Sequence, residues 1–466
     1  MSGSFASLNT ALTALRFNRV ALDVASNNVA NAGTEGYSRR RVVGESLGAS
    51  AVPARWSRLP EGLDAVGGGV GVASVDRLAD GLLDARARTE HGRQEYLDVR
   101  STVLQRVESA IGEPGTTGVA ASLSAYRNSW SDLANAPTSG AARGQVLARA
   151  EALVDVVHAQ AANIDNEATT QRSSLLATVS EANTVATELA TANAAIAAAS
   201  LDGVDQGDLA DQRDRLAMRL SELTGATATA RADGGLDMTL GGVSLVQGSQ
   251  AGGLVVTSGV TPTGAADGSP VGLAVTSGAT TTPTGAVGGK LGATVDLLDV
   301  TLPAYAAGLS AVVTTLADEV NALHSTGYDA TGTTGRAFFT YTPGDAARSL
   351  SVAITSPDEV AASGLPGGVV DGSRADALAE DGDAEDGYTR LVTDFGIQVA
   401  SSQRLSTTQG LLTTQVDSAR QQLSGVNLDE EMVTMLSAQR AYEAAARVMS
   451  VVDSVLDTLI NRTGVG

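Results

Sequence analysis

The chain has 466 residues, 31 basic against 52 acidic side chains for a formal charge of −21, no cysteine, and 3% aromatic residues. The negative balance repels nucleic-acid phosphates and acidic membrane surfaces, and the lack of thiols excludes a disulfide framework and thiolate chemistry. One hydrophobic core stops growing near ~250–300 residues, so two or more domains are expected, built of thin helical layers and small β elements rather than one aromatic core.

The first thirty residues contain no basic cluster followed by an apolar run and a small-residue cleavage site, so no cleaved signal peptide is expected. No stretch approaches the ~20 apolar residues of a membrane helix. Apolar residues at Phe5, Leu8, Leu12, Leu15, Leu22 and Val29 keep the alternating three- and four-residue spacing of one helix face. Val24 to Ser38 then stacks Asn27, Asn28, Asn31, Gly33 and Gly36, residues that tolerate left-handed backbone or bond nearby main chain. The helix should therefore end near Asn31 in a shaped turn. Arg39, Arg40 and Arg41 read as a solvated or intersubunit charge face. Residues 42–85, with Gly67-Gly-Gly69 and the alternating Gly71-Val-Ala-Ser-Val75, read as an extended arm.

Helical spacing returns from Leu82 to Ile111, stops at Gly112-Glu-Pro-Gly115, and resumes from Val119 to Asn135. Val146 to Ile196 keeps it over about fifty residues without proline, predicting a rod-like helix or two in line. Its expected packing partners are Leu291–His324 and Tyr388–Leu423, where Leu309 and Val313, then Phe395, Leu405, Leu412 and Leu423, carry matching stripes. Between them, Gly225–Gly288 predicts strands at 236–240, 243–246, 254–256 and 273–275. Thr326–Gly387, with Ala337-Phe-Phe-Thr-Tyr341 and Leu350-Ser-Val-Ala-Ile354, predicts a second β-containing insertion. The chain closes on another stripe: Leu428, Met432, Met435, Tyr442, Ala446, Met449, Leu456 and Leu459.

The expected fold is mainly α with inserted β. Residues 1–41 and 425–466 form a terminal coiled-coil layer; 42–224, 289–325 and 388–424 form a long-helix bundle with an extended arm. Residues 225–288 are a β-rich outer insertion and 326–387 a second β and loop insertion. Neither terminal stripe can make a core alone, so the two helices pack on each other or on neighbouring subunits, and subunit contact supplies the force that orders them.

No motif carries chemistry. His91, His158 and His324 stand alone on predicted helices without a second ligand at metal spacing, and no Gly-x-Ser-x-Gly elbow occurs. Gly285-Ala-Val-Gly-Gly-Lys290 lacks the glycine spacing of a phosphate loop and has Leu291 where Ser or Thr must hold magnesium. A calcium loop counted from Asp381 needs glycine sixth and glutamate twelfth, and finds Asp386 and Val392. Asp208-Leu-Ala-Asp-Gln-Arg-Asp214 reads as charge at a helix start. No catalytic residue, metal site or cofactor is expected.

Asn28-Val-Ala-Asn-Ala-Gly-Thr-Glu-Gly-Tyr37 resembles the signature closing the N-terminal helix of the bacterial flagellar rod, hook and hook-associated axial family. Ser424-Gly-Val-Asn-Leu-Asp-Glu-Glu-Met432, Gln439-Arg-Ala-Tyr442 and Val452-Asp-Ser-Val-Leu-Asp-Thr-Leu-Ile460 resemble its paired C-terminal helix. Gly36-Tyr-Ser-Arg-Arg40, Asp208–Asp214, Leu316–His324 and Ala337-Phe-Phe339 are similar to the hook-associated branch, while Gly33 and Glu35 stand where Asn and Pro are commoner. The resemblance implies a structural junction protein, not an enzyme. It would be exported unfolded by the flagellar type III apparatus to an extracellular position, in a ring of about eleven subunits. Hook protein, hook-associated protein 3 and an export chaperone are the implied partners, with no nucleic acid or membrane. The implied assembly interface comprises Leu8, Leu12, Leu15, Leu22, Asn28, Asn31, Thr34, Gly36, Tyr37, Asn427, Leu428, Met432, Gln439, Tyr442, Met449, Leu456 and Leu459. The chaperone would take Met432, Met435, Tyr442, Met449 and Leu456. A hook or distal-rod protein is the alternative within the family, and a secreted hydrolase using the Asp208–Asp214 carboxylates the alternative outside it.

Overall fold

A computed structural model describes residues 2–47, 68–202, 206–366 and 371–458. The N-terminal helix α1 (Ser2–Ala30) leads into β1 (Arg40–Leu47), which pairs antiparallel with β2 (Gly69–Arg77), Arg40 standing opposite Arg77. This two-stranded arm lies along α1. Asp80 caps α2 (Gly81–Ile111), its side chain accepting from the Leu82 and Leu83 amides at 2.8 and 3.2 Å, and Gly112 ends the helix in the left-handed region at φ 67°. Next come α3 (Val119–Asn135), α4 (Gly140–Asp202) and α5 (Gly207–Thr224).

The rod predicted between Val146 and Ile196 is one continuous helix, α4, of 63 residues, about 95 Å long at 1.5 Å per residue. No single partner covers such a length, and its buried side chains change company along it. Val146, Leu153 and Val157 share a core with Leu123, Trp130 and Leu133 of α3. Ile164 joins a central core with Val103, Leu104 and Phe395. Leu175, Ala186 and Leu189 meet Leu220 and Leu223 of α5 and a β layer.

That layer is built by β3 (Thr227–Ala230), β4 (Leu236–Leu240), β5 (Val243–Gln247), β6 (Gln250–Ala251), β7 (Gly253–Ser258), β8 (Gly272–Ser277) and β9 (Thr280–Pro283). They form a four-stranded antiparallel sheet β3-β4-β5-β6 and a three-stranded sheet β7-β8-β9. Alternation buries Leu236, Met238 and Leu240 of β4. All four predicted strands are present, and the core they share with α4 and α5 is continuous.

The chain continues as α6 (Gly289–Asp296), a π turn at Leu297–Thr301, and α7 (Leu302–His324). Pro303 has no N–H with which to close the bond to the Asp299 carbonyl, which accounts for a wider turn at that point. By length and composition Gly289–His324 could cross a membrane, contrary to the expectation that no stretch could. Here its Leu291, Leu297, Leu309 and Val313 are buried in the three cores.

Residues 326–366 hold less strand than predicted: β10 (Phe339–Thr340) pairs with β11 (Ser351–Val352) around α8 (Ala346–Ser349). Phe338, Phe339, Leu350 and Ile354 are buried with α3 and α7, so side-chain burial rather than a sheet organises the segment. Next, α9 (Ser373–Glu380) turns into α10 (Asp383–Ser424) and then α11 (Leu428–Asp457).

Against expectation, α10 runs mainly along α2 and α7; it meets α4 through the core that Phe395 shares with Ile164 and through Tyr388 Oη donating to Gln160 Oε1 at 3.1 Å. Phe395, Val399 and Val416 are buried, whereas the stripe residues Leu405, Leu412 and Leu423 are exposed. Apolar periodicity marks a face that can be buried; it does not specify the neighbour.

Candidate assembly interface

The two terminal helices fold against each other within one chain, antiparallel, with the end of α1 beside the start of α11. Of the two arrangements expected, packing on each other or on neighbouring subunits, the first is present within the chain. Among the described side chains of α1, the buried ones are Ala11, Ala25 and Asn28. They belong to the seam Ala11, Ala14, Asn18, Ala21, Ala25, Asn28, whose spacing alternates three and four. Small side chains allow close approach of the axes. The predicted leucine stripe lies about a quarter-turn round: Leu8, Leu15 and Leu22 are half-buried, and Leu12 is 37% exposed.

On α11 the matching seam is Glu431, Met435, Ala438, Tyr442, Ala445, Met449, Val452 and Leu456. Glu431, Ala438 and Ala445 are buried, and Met435, Met449, Val452 and Leu456 are half-buried. Half of the predicted C-terminal stripe, Met435, Ala446, Met449 and Leu456, is thus partly covered, while Tyr442 is 39% exposed. Sequence reasoning missed a second apolar stripe about half a turn away. Val433, Leu436, Val448, Val451 and Val455 all face solvent, Val433 and Val451 at 67% and 60% exposure. Leu428, Met432 and Gln439 are also exposed, and Leu459 lies outside the described residues. Val448, Val451 and Val455, at three- and four-residue steps, were the available signal, hidden because the methionines and leucines of the other face are larger.

The frame holding this pair is polar. Asn28 is 1% exposed. Its Nδ2 donates to the Arg40 carbonyl at 2.9 Å and to Glu431 Oε2 at 3.0 Å, and its Oδ1 accepts from the Arg40 amide at 3.0 Å and Tyr37 Oη at 2.8 Å. One amide thus joins α1, the turn, the arm and α11, and does so inside the chain. Asn31 and Thr34 shape the exposed turn: the Asn31 amide bonds Asn27 O at 3.0 Å and the Thr34 amide bonds Asn31 O at 2.9 Å. Gly36 follows at φ 75°, where a side chain is strained. Burial, partly offset by Arg40, raises the Tyr37 phenol above its ordinary range. Asn427 caps α11, accepting from the Asp429 and Glu430 amides at 3.0 and 3.4 Å.

The arginine run is not a solvated face. Arg39 pairs with Glu430 at 2.7 Å and Glu431 at 2.6 Å, while its amide donates to Ser424 O at 2.8 Å. Arg40 is buried against Asp208 and Asp211, and only Arg41 points outward. Nor do the carboxylates of α5 merely charge its first turn. Asp211, 2% exposed, accepts from Arg77 Nε at 2.8 Å and the Ser38 amide at 3.3 Å. Asp214 accepts from Arg77 Nη2 at 2.8 Å. Asp208, Asp211 and Asp214 share a helix face at three-residue steps and clamp the N-terminal turn and the arm to the bundle.

No predicted histidine stands in a catalytic arrangement. His91 bonds Asp417 at 3.0 Å and lies 3.5 Å from Glu222, whose hydrogen bond is the largest cause of its raised pKa. His324 is fully buried: Nδ1–H donates to Arg336 O and Nε2 accepts from the Ala361 amide, both at 2.9 Å, which fixes a neutral ring whose pKa burial lowers. Ligating oxygens of Glu319, Asp381 and Asp383 lie within 4.8 Å of one another. Burial first, then the two aspartates, pushes Glu319 up to about 7.

Antiparallel terminal helices enclosing a long-helix middle define a class, and comparison with known proteins agrees. The family described as "Flagella basal body rod protein" matches residues 8–37, and "Flagellar basal body rod FlgEFG protein C-terminal" matches 419–462. The ends are thus those of flagellar axial proteins. "Flagellar hook-associated protein FlgK helical domain" matches residues 104–339, half of the chain. The chain belongs to this flagellar hook-associated family of structural proteins.

Flagellar hook-associated protein 1 of Bacillus subtilis (strain 168) is 28% identical over 512 aligned positions, covering 100% of both chains. The protein of the same name from Escherichia coli (strain K12) is 25% identical over 562 positions, covering 97% of this chain and 99% of its own. The solved flagellar hook junction protein FlgK from Burkholderia pseudomallei superposes with a TM-score of 0.64 at 16% identity. It covers 73% of this chain and 100% of its own, a likeness of fold.

Proposed function

We propose that this chain forms the ring joining flagellar hook to filament and acts as the adaptor on which the filament assembles. The observation carrying the reading is the set of outward apolar residues of α11, Val433, Leu436, Val448, Val451 and Val455, together with the partly open leucines of α1. A soluble monomer gains nothing from exposing it, whereas a ring buries it between copies. Each fully buried valine or leucine contributes about 1.5–3 kcal/mol, so contacts repeated around a ring of about eleven subunits hold it while an isolated pair does not. Hook protein on one side and hook-associated protein 3 on the other are the proposed axial neighbours.

On this reading the chain leaves the cell unfolded by the flagellar type III route. The export chaperone takes the α11 seam, and because Met435, Met449 and Leu456 face α1, it binds only while the terminal pair is open. The helical domain argues against a hook or rod protein.

Val451→Asp with Leu436→Asp tests assembly. The far-UV circular dichroism of the monomer should stay unchanged and junction incorporation should be lost, giving hooks without filaments in electron micrographs. Filaments of normal number and length on the double variant would overturn the proposal.

A further inference from the structure

A cavity of about 360 Å³ opens between α2, the α5–β3 junction, the start of α6 and α10, lined among others by Arg88, Arg93, Tyr96, Gly225, Gly288 and Gln409. Arg88 is 7% exposed, and its Nε is buried without an acceptor. Two nearby carboxylates that could compensate it are bonded to other arginines: Asp84 to Arg420 at 2.8 Å, Asp214 to Arg77 at 2.8 Å and to Arg213 at 2.9 Å. Burial accordingly lowers the Arg88 pKa. A buried guanidinium with an unmet donor calls for a partner.

Part of the lining is bare backbone, at Gly225, Gly288 and Gly289. Gly225 sits at φ 70°, and a Cβ there would fall 2.5 Å from the Gly288 Cα. Gly288 caps α6 without a side-chain bond, so the first-turn amides at Gly289, Lys290 and Leu291 have no partner from a capping side chain. A helix N-terminus and a buried guanidinium lining one cavity form the donor set that oxyanions select. At the mouth, Arg93 is 66% exposed, its only ion pair among the described residues a loose 3.8 Å approach to Glu90.

We propose that this cavity binds a small phosphate- or carboxylate-bearing molecule, its oxyanion held between Arg88 and the N-terminus of α6. Bound there, the ligand would tie the β layer to α2 and α10, away from the terminal helices and independently of ring formation.

The test is thermal unfolding and titration calorimetry of the full-length monomer with sodium phosphate, sodium citrate, and sodium chloride at matched ionic strength. Saturable stabilisation by phosphate or citrate, absent with chloride, is expected, and the two arms separate a phosphate site from a carboxylate site. Arg88→Gln should abolish it. Arg93→Glu, at an exposed position that leaves folding intact, should weaken the affinity at least ~10-fold. Equal response to all three salts overturns the proposal. So does undiminished affinity in Arg93→Glu, which decides the matter should Arg88→Gln fail to fold.

Discussion

Replacing Asp211 by alanine removes the centre of the clamp between the N-terminal turn and the bundle. Asp211 receives Arg77 and the Ser38 amide and lies 3.9 Å from Arg40. Deleting one member of a buried ion pair costs about 3–5 kcal/mol, because the other charge stays buried and unpaired. Arg77 keeps Asp214, and Arg40 keeps Asp208, whose side chain is 82% exposed. The loss therefore belongs near the lower end, about 3 kcal/mol, and about 1–2 kcal/mol for Asp211→Asn, which retains an acceptor.

A chain with several cores need not unfold in one step, so a global midpoint is the wrong measurement. Hydrogen exchange by mass spectrometry reads the effect where it occurs. Protection should fall in residues 26–47 and 424–440 and hold in 119–161, the α3–α4 core. A double-mutant cycle with Arg77→Met should give a coupling above ~1 kcal/mol. Exchange that rises evenly along the chain, or coupling near zero, would refute the clamp.

Two further outcomes concern protons. Glu319, held near 7 against an ordinary 4.5, binds its proton more tightly when folded, so its carboxylate costs stability as pH rises through this interval. Glu319→Gln should raise the melting temperature at pH 8 and leave it unchanged at pH 4, a difference read by calorimetry. His324 is shifted down, so its contribution is present above pH ~6.5 and lost as pH falls through the lower folded value. Protection factors in residues 336–361, which remove the intrinsic slowing of amide exchange in acid, should fall on acidification in the parent chain and hold steady in His324→Gln.

Much of the fold was legible. Strand boundaries at Leu236–Leu240 and the uninterrupted run through α4 follow from alternation and from the absence of proline, both local properties. The site was legible only in part. Asn28 and Tyr37 were singled out as turn and interface residues, but that the Asn28 amide bridges Arg40 and Glu431 depends on a contact spanning 403 positions. Arg40 was read as part of a solvated or intersubunit charge face and Asp211 as charge at a helix start, because a charged residue in isolation is usually solvated. Their burial depends on each having the other nearby.

The sequence alone determined that the chain has two amphipathic ends, a helical middle and β-bearing segments between its long helices, because periodicity and breakers are written locally. Only the tertiary structure decided which apolar face each end gives to its partner. Alanines, not leucines, make the α1 seam, because helix axes approach most closely where side chains are smallest. The larger leucines of α1 and the outer valines of α11 are left where a neighbouring copy can reach them.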